Sequence, residues 1–255
     1  MVIKRLWKQW VLPALAGGVL AGALCGAAQA ETYFGAAVGG SFGGTFEDVR
    51  SNGINPGVLN VTSTDLDQDS AVAFGFRLGH YFSFLPWLGV EFQWYTRSPD
   101  VDAEPATLSG TITTPTVPFQ FVGASRVTVK IDNQDTYGFM VNLRTPEEYV
   151  QQMGGNIEPY IGVGLAVNSI DIERVTISNA AGTVTGTSAA DSDVDTGFLG
   201  QVGINYRLTE RLDAFVEYKY TSATYSLVKM APTLDTRVDA SDHTAVVGFK
   251  FTFLD

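Results

Sequence analysis

Two short runs of aspartates have the one-three-five spacing that opens a calcium-binding loop. The six residues are Asp65, Asp67, Asp69, Asp191, Asp193 and Asp195. The first run has Ser70 where such a loop needs glycine and Phe76 where it needs a closing glutamate, so neither run predicts an EF-hand. If the strands that follow continue without a bulge, both triplets point toward one axis. Six converging carboxylates would then splay apart or recruit divalent cations, unless Arg97 and Arg174 neutralise them.

Charged residues also interrupt segments that are otherwise apolar on one face. They are Arg77, Glu91, Glu217, Lys219 and Lys250. Each lies on the face opposite the apolar one, so all five are expected to share one interior. An unpaired charge in a low-dielectric interior is costly, and we therefore expect Glu91 and Glu217 each to contact one of the three cations.

The elements that position these residues are eight segments with a period-two alternation of apolar residues, which predicts β-strands. The segments are 32–42, 71–82, 87–97, 136–144, 159–169, 196–207, 212–221 and 243–253. Short turns alternate with long polar connections, which are 43–70, 98–135, 170–195 and 222–242. Short turns at one end and long loops at the other are typical of a transmembrane barrel.

The alternation alone does not say which face is inside. A soluble barrel would turn its apolar face inward around a small ligand, whereas a membrane barrel turns it outward to lipid. Aromatic residues near the strand ends favour the membrane, as two interfacial girdles. They are Tyr33, Phe82, Trp87, Trp94, Tyr137, Tyr160, Tyr206 and Tyr220. The prediction is an all-β, antiparallel, up-and-down transmembrane barrel of eight strands, or of ten if 98–135 contains a further hairpin.

The N-terminal segment predicts export. Lys4, Arg5 and Lys8 precede an apolar stretch and a small-x-small site at Ala28-Gln29-Ala30, which together are typical of a cleaved signal peptide. We therefore predict a signal peptide at 1–30 and one barrel domain at 31–255. Cleavage would leave 13 basic and 27 acidic residues, a net charge of −14, and it would remove the only cysteine, Cys25. This balance argues against nucleic acid as a partner.

The chain resembles the small outer-membrane β-barrel proteins of Gram-negative bacteria, the OmpA-like and OmpX-like group that includes opacity-type surface proteins. Besides the architecture, the resemblance rests on the last strand, where Gly248, Phe251 and Phe253 match the spacing that the barrel assembly machinery recognises in this group. Val246 replaces the usual polar residue, and Leu254 and Asp255 follow the final aromatic. The resemblance implies an outer-membrane location, contact with outer-membrane lipid and lipopolysaccharide, and recognition by that machinery.

The resemblance leaves three functions open. The first is a non-enzymatic structural and surface-interaction role, adhesin-like or antigen-like, in which long extracellular loops bind an unknown ligand. The second is transport of a small molecule, and the third is lipid modification by an outer-membrane enzyme. Deacylases of this kind use His-x-Ser, but His80 precedes Ser83 by three residues and His243 is followed by Thr244. We therefore expect no enzymatic activity and no cofactor.

Overall fold

The computed structural model describes residues 31–53, 61–62, 65–113, 118–179, 182–186, 191–227 and 234–254. The predicted signal peptide, 1–30, lies outside these residues. No helix in the described part of the chain is long and apolar enough to cross a membrane.

Twelve strands and one short helix make up the described residues. The strands are β1 (Glu31–Gly53), β2 (Val61–Thr62), β3 (Leu66–Asp67), β4 (Ala71–Phe82), β5 (Leu85–Arg97), β6 (Val101–Thr113), β7 (Pro118–Arg144), β8 (Ile157–Asn179), β9 (Gly182–Gly186), β10 (Asp191–Arg207), β11 (Leu212–Leu227) and β12 (Leu234–Leu254). The helix α1 (Glu147–Gln152) lies in the connection between β7 and β8.

Eight of the strands close into a ring in the order β1-β4-β5-β7-β8-β10-β11-β12, and β12 pairs back with β1. All pairings are antiparallel, and the closing ladder begins at Glu31↔Leu254. The eight predicted segments form the part of the ring nearest the short turns. β6 does not enter the ring as a ninth strand, because it continues the course of β5 and pairs with β7. The barrel therefore has eight strands, and the alternative of ten does not hold.

Burial is inverted relative to a soluble protein. Val163 and Phe249, on the outward face, are 52% and 59% exposed, while Glu217 and Lys250, on the inward face, are 1% and 2% exposed. An apolar outer surface of this extent is stable in lipid and not in water. The soluble barrel with an apolar interior is therefore excluded by the direction of the side chains.

The apolar outward residues form a belt around the barrel. At the end with the long connections the strands continue well beyond this belt, and there the polarity of the inward and outward faces is reversed. In β7, the inward residues are polar near Thr136 and Asn142 but apolar at Val127 and Val129. The outward residues change in the opposite sense, because Val141 is exposed in the belt while Lys130 is exposed beyond it. The reversal marks the point at which the outer surface leaves lipid and meets water.

The change of face is made by irregularities in the ladders. The β1–β12 register shifts between Phe42 and Thr45, and the β7–β8 register shifts between Lys130 and Asn133. Gly43, in the β1 irregularity, has a φ of 59°, a conformation that glycine adopts without steric cost. Each inserted residue moves the side chains that follow to the other face, so period-two alternation cannot be extrapolated across it.

Candidate functional site

A charged group occupies the middle of the lumen, and we call it the lumen network (Arg77, Glu91, Glu217 and Lys219). Arg77 Nη1 donates to Glu217 Oε2 at 2.9 Å, and Lys219 Nζ lies 2.6 Å from Glu217 Oε1. Glu91 Oε2 lies 3.8 Å from the same Arg77 nitrogen. Both glutamates therefore contact a cation, as the shared inward parity predicts.

Uncharged partners add hydrogen bonds to the lumen network. The hydroxyl of Tyr33 donates to Glu91 Oε2 at 2.6 Å, and the hydroxyl of Tyr160 donates to Glu217 Oε2 at 2.6 Å. Gln201 Nε2 donates to the second oxygen of Glu91 at 3.1 Å. Because each carboxylate accepts more than one hydrogen bond, its loss of hydration in the interior is largely offset.

Side chains also join opposite walls of the barrel. Lys219 on β11 donates to Gln93 Oε1 on β5, which is four strands away around the ring in either direction. One level further toward the long loops, the hydroxyls of Tyr95 on β5 and Thr221 on β11 lie 2.5 Å apart. An eight-stranded ring is narrow enough for such side chains to meet at its axis.

Lys250 does not join the lumen network. It lies nearer the short turns in what we call the lower group (Glu31, Arg144, Glu158, Asp213 and Lys250). Its Nζ lies 2.8 Å from Asp213 Oδ2 and 3.7 Å from Glu31 Oε1. The sequence placed Lys250 on the correct face, but the stagger of neighbouring strands puts it at a different height from Glu91 and Glu217.

A further buried ion pair marks the level at which the lumen changes from polar to apolar. Arg97 Nη1 lies 3.2 Å from Asp242 Oδ2, and both side chains are at least 95% buried. Asp242 also accepts a hydrogen bond from Thr244 at 2.8 Å, and Gln134 donates to the Tyr225 hydroxyl at 3.0 Å. Sequence reasoning missed Asp242, although its inward parity with Thr244 and Lys250 was a usable signal.

Beyond this level, toward the long connections, the interior is filled by an apolar cluster. Because long connections are extracellular in membrane barrels, we call it the extracellular core. Its members are Phe46, Leu66, Val101, Val127, Val129, Ile131, Ile170, Ile172, Ala223, Tyr225, Val238 and Ala240. The lumen of the described barrel is thus filled by polar contacts within the belt and by apolar packing beyond it.

The first acidic triplet does not point toward the barrel axis. Asp65, Asp67 and Asp69 are exposed, whereas Leu66 and Gln68 between them are buried. The prediction of convergence fails because residues 68–70 leave the strand conformation, which breaks the parity that was extrapolated from β4. Asp69 instead lies beside Asp100, whose backbone oxygen accepts the Asp69 N–H at 2.8 Å. Partial desolvation, followed by the charges of Asp102 and Asp100, raises the pKa of Asp69.

The second triplet is only partly described. The side chains of Asp191 and Asp193 lie outside the described residues, and Asp195 Oδ1 accepts a hydrogen bond from the backbone N–H of Thr196 at 2.6 Å. Among the residues that the structure describes, no group of three histidine, cysteine or acidic side chains is arranged to hold a metal ion. Arg97 and Arg174, the expected competitors, pair with Asp242 and with Glu173.

The two histidines lie on the outward face at opposite ends of the belt, where His80 is buried among its neighbours and His243 is half-buried. His80 Nδ1 is 3.0 Å from Thr32 Oγ1, and its ring packs edge-on against Phe82. His243 Nδ1 is 2.5 Å from the Tyr218 hydroxyl, and its ring packs against Phe42 and Tyr220. Neither contact brings a serine to the imidazole, so the geometry does not restore the His-x-Ser arrangement that the sequence lacks.

The last strand closes the ring and shows its phenylalanines to lipid. Phe249, Phe251 and Phe253 are exposed on the outward face. Gly248 is required by a close approach, because a Cβ there would lie 2.2 Å from the Ala36 carbonyl oxygen and 2.6 Å from the Phe215 ring. Close packing at Gly248 and contact of the phenylalanines with lipid therefore explain these residue types independently of the predicted assembly signal.

Comparison with known proteins agrees with this architecture. The family model of the outer membrane protein beta-barrel domain matches residues 16–253, and no curated protein matches the chain. Among solved structures, Neisserial surface protein A (NspA) is similar with 11% identity, 89% of this chain and 99% of that chain covered, and a TM-score of 0.43. The outer membrane protein OprG of Pseudomonas aeruginosa has 15% identity, 88% and 96% covered, and a TM-score of 0.44.

A third similar structure is the outer membrane protease OmpT of Escherichia coli, with 13% identity, 88% and 97% covered, and a TM-score of 0.43. These likenesses are too distant to transfer a role to this chain. The family match, in contrast, spans most of the sequence. With the closed eight-stranded ring and its inverted burial, it leads to one conclusion: the chain is an outer-membrane protein of the β-barrel domain family.

Proposed function

We propose that the protein is a non-enzymatic outer-membrane barrel whose lumen is a structural plug and whose surface beyond the membrane carries an interaction role. In barrels of this kind the short turns are periplasmic and the long connections are extracellular. The strands that continue past the belt are therefore the part of the protein that other molecules can reach.

The observation that supports this proposal is the bridging of the lumen from opposite walls at successive heights. The contacts Arg77–Glu217, Lys219–Gln93 and Tyr95–Thr221 follow one another along the axis, and the extracellular core lies above them. A hydrated path for ions or solutes would have to break these contacts and to expose apolar side chains. A barrel filled in this way stabilises itself rather than conducting.

Conductance across a planar lipid bilayer tests the plug. The native protein is expected to show no ohmic steps, while the double variant Gln93→Ala/Lys219→Ala opens the lumen and conducts. Folding of both proteins is checked by their faster migration on gels without heating. Stable steps from the native protein would overturn the proposal, because its lumen would then be an open path.

Transport of a small apolar molecule is the second candidate, and one observation favours it. The described β10–β11 ladder ends at Gly197↔Ala223, and Ala223 and Tyr225 on that side belong to the extracellular core. Separation of β10 from β11 beyond this point would expose apolar side chains just above the outer leaflet. Uptake of an apolar dye into proteoliposomes, accelerated by Tyr225→Ala, would favour this candidate over the structural one.

A further inference from the structure

The hairpin formed by β6 and β7 extends past the end of the β7–β8 ladder, and we call its distal part the arm (105–113 and 118–125). On the other side of the hairpin, Ser109 of β6 pairs with Thr62 of β2. Within the arm the two strands pair from Pro105↔Arg126 to Thr113↔Pro118. The β7–β8 ladder ends at Arg126↔Ser178. In the described part of the chain, β7 from Pro118 to Ser125 therefore has a strand partner on one side only. Its other edge offers backbone N–H and C=O groups for pairing.

The arm carries no charge. No residue from Pro105 to Ser125 is acidic or basic, although Glu104 and Arg126 border it directly. The segment is rich in threonine, valine and phenylalanine, which favour strands. Proteins usually protect a free strand edge with charged residues, and an unprotected edge pairs readily with another strand. The absence of charge leaves this edge available.

Among the described strands, another edge without a strand partner is protected. β10 extends past the end of its ladder with β11, from Asp191 to Thr196, and this run contains three aspartates. Pairing of this run with a second copy would bring like charges together, which destabilises a ladder. β9 is also free of charge, but it is short and has glycine at both ends. Of the described strand edges that lack a partner, the arm is thus the one that is both long and uncharged.

We propose that the arm is a homotypic interaction site, at which the free edge of β7 pairs with the same edge of a second copy of this chain in a facing membrane. The inference rests on the surface-interaction role proposed above and names its partner. The expected mature chain has a net charge of −14, so two copies repel each other except through an uncharged surface. An edge that pairs with itself about a two-fold axis also needs no second binding site.

The direction of β7 fixes the arrangement of the two copies. β7 runs from Pro118 at the extracellular tip down to Arg144 at the periplasmic end. When two such edges pair antiparallel, the two chains continue in opposite directions, so their barrels lie at opposite ends of the shared sheet. Antiparallel β-augmentation through the arm therefore joins two facing membranes.

Disulfide trapping tests the pairing directly, because the sequence after residue 30 contains no cysteine. Val122 lies next to the centre of the free run, and in the register that places Val122 opposite itself the two Cα atoms stand about 4.5–5.5 Å apart, within the range that a disulfide spans. Val122→Cys in detergent is expected to form a disulfide-linked dimer on oxidation, whereas Ser192→Cys on the acidic edge of β10 does not. Equal cross-linking of the two variants, or none in Val122→Cys, would overturn the proposal.

Vesicle clustering tests the facing arrangement. Proteoliposomes with outward-facing arms should cluster with one another, and the double variant Gln120→Asp/Val122→Asp should weaken clustering about tenfold by placing like charges across the new ladder. Thr185→Asp on β9 is the matched control and should cluster as the native protein does. Migration without heating confirms that each variant is folded.

Two results would reject homotypic pairing. One is clustering that the double variant retains; the other is clustering with protein-free vesicles, which would show that the arm binds lipid. Neither result bears on the structural plug, because ion conduction by the native lumen is measured separately. The proposed function and the identity of its partner can therefore fail independently.

Discussion

At the scale of single residues, period-two parity predicts which face a charge occupies but not which partner it meets. Parity correctly placed Arg77, Glu91 and Glu217 in the lumen. Lys250 has the same parity, yet it pairs with Asp213 because strand tilt and stagger set its height. Those two quantities depend on how the whole ring closes, so no local pattern in the sequence contains them.

The lumen network leads to a prediction about Glu217. Glu217→Gln removes the carboxylate shared by Arg77 and Lys219, which leaves the buried Lys219 without its anion and Arg77 with only the more distant Glu91. The variant should lose about 3–5 kcal/mol of unfolding free energy. Adding Lys219→Met should restore part of this loss, since it removes the uncompensated charge. Urea unfolding of the refolded protein in lipid measures both effects.

The matched control for this prediction is Lys130→Gln, which removes a cation from the exposed pair with Asp100. Exposed ion pairs contribute little because water and salt screen them. We therefore expect no measurable change in the unfolding midpoint. A loss in Glu217→Gln no larger than that of the control would contradict a role of the lumen network in stability.

A second prediction at this scale concerns pH at the periplasmic end, outside the membrane. Hydrogen bonds from Arg207 hold the pKa of Glu147 below its ordinary value, and Glu147 lies in α1. A carboxyl whose pKa is lowered in the folded state stabilises that state above its unfolded pKa, and this contribution disappears as the pH falls through the folded pKa. Both side chains are partly exposed, so the effect is small and weakened by salt.

Hydrogen exchange of the α1 amides provides the measurement. Protection should fall between neutral and acid pH in the native protein, and this fall should be absent in Arg207→Leu, which has no side-chain donor. Identical pH profiles in the two proteins would show that the Glu147–Arg207 pair does not stabilise the turn.

At the scale of the strands, the sequence predicted the segments within the membrane well and their extensions poorly. The eight predicted segments lie inside strands of the ring, because lipid outside and polar groups inside impose a strict alternation. Beyond the belt, β7 and β8 change polarity across a register shift, and the alternation no longer identifies the inner face. The same break in strand conformation explains why Asp65, Asp67 and Asp69 were assigned to the wrong side.

The lipid-facing assignment predicts the effect of a charge on β8. Val163→Arg places a guanidinium on the outward face of the belt and should cost about 2–4 kcal/mol near the bilayer midplane. Thr176→Arg is the control, because Thr176 lies on the same strand beyond the belt. Unfolding in lipid vesicles compares the two. Equal stability would mean that Val163 is not in contact with hydrocarbon.

The final strand leads to a prediction that separates assembly from stability. Phe249 and Phe253 are both exposed to lipid on β12, but only Phe253 belongs to the motif expected to direct assembly. Phe249→Ala and Phe253→Ala should therefore lose similar stability after refolding in vitro. In cells, Phe253→Ala alone should reduce the amount of folded protein in the outer membrane. Equal yields of both variants would remove Phe253 from the assembly signal.

At the scale of the whole molecule, the barrel consists of two stacked parts with opposite polarity. The belt is apolar outside and polar inside, and the part beyond it is polar outside and packed around the extracellular core. The charge-free arm and the acidic edge of β10 both belong to the second part. Local alternation could not predict this part, because its core forms between strands that are distant in sequence.

The two parts should differ in how they respond to a cavity. Ile170 is fully buried in the extracellular core, which also contains residues of β7, β11 and β12. Ile170→Ala should cost about 2–5 kcal/mol of packing free energy. Because membrane-spanning ladders retain their own hydrogen bonds and lipid contacts, we expect this loss to loosen the extracellular part without opening the belt.

Limited proteolysis and heat-dependent gel migration distinguish these outcomes. Ile170→Ala should be cleaved faster in the segments beyond the belt, while the temperature at which the barrel loses its compact migration stays close to that of the native protein. Val163→Ala, which shortens a side chain in lipid, should leave the cleavage rate unchanged. If Ile170→Ala instead lowered the unfolding temperature of the whole barrel, the two parts would fold as one cooperative unit, and the extracellular core would support the membrane-spanning ring as well as the surface that extends from it.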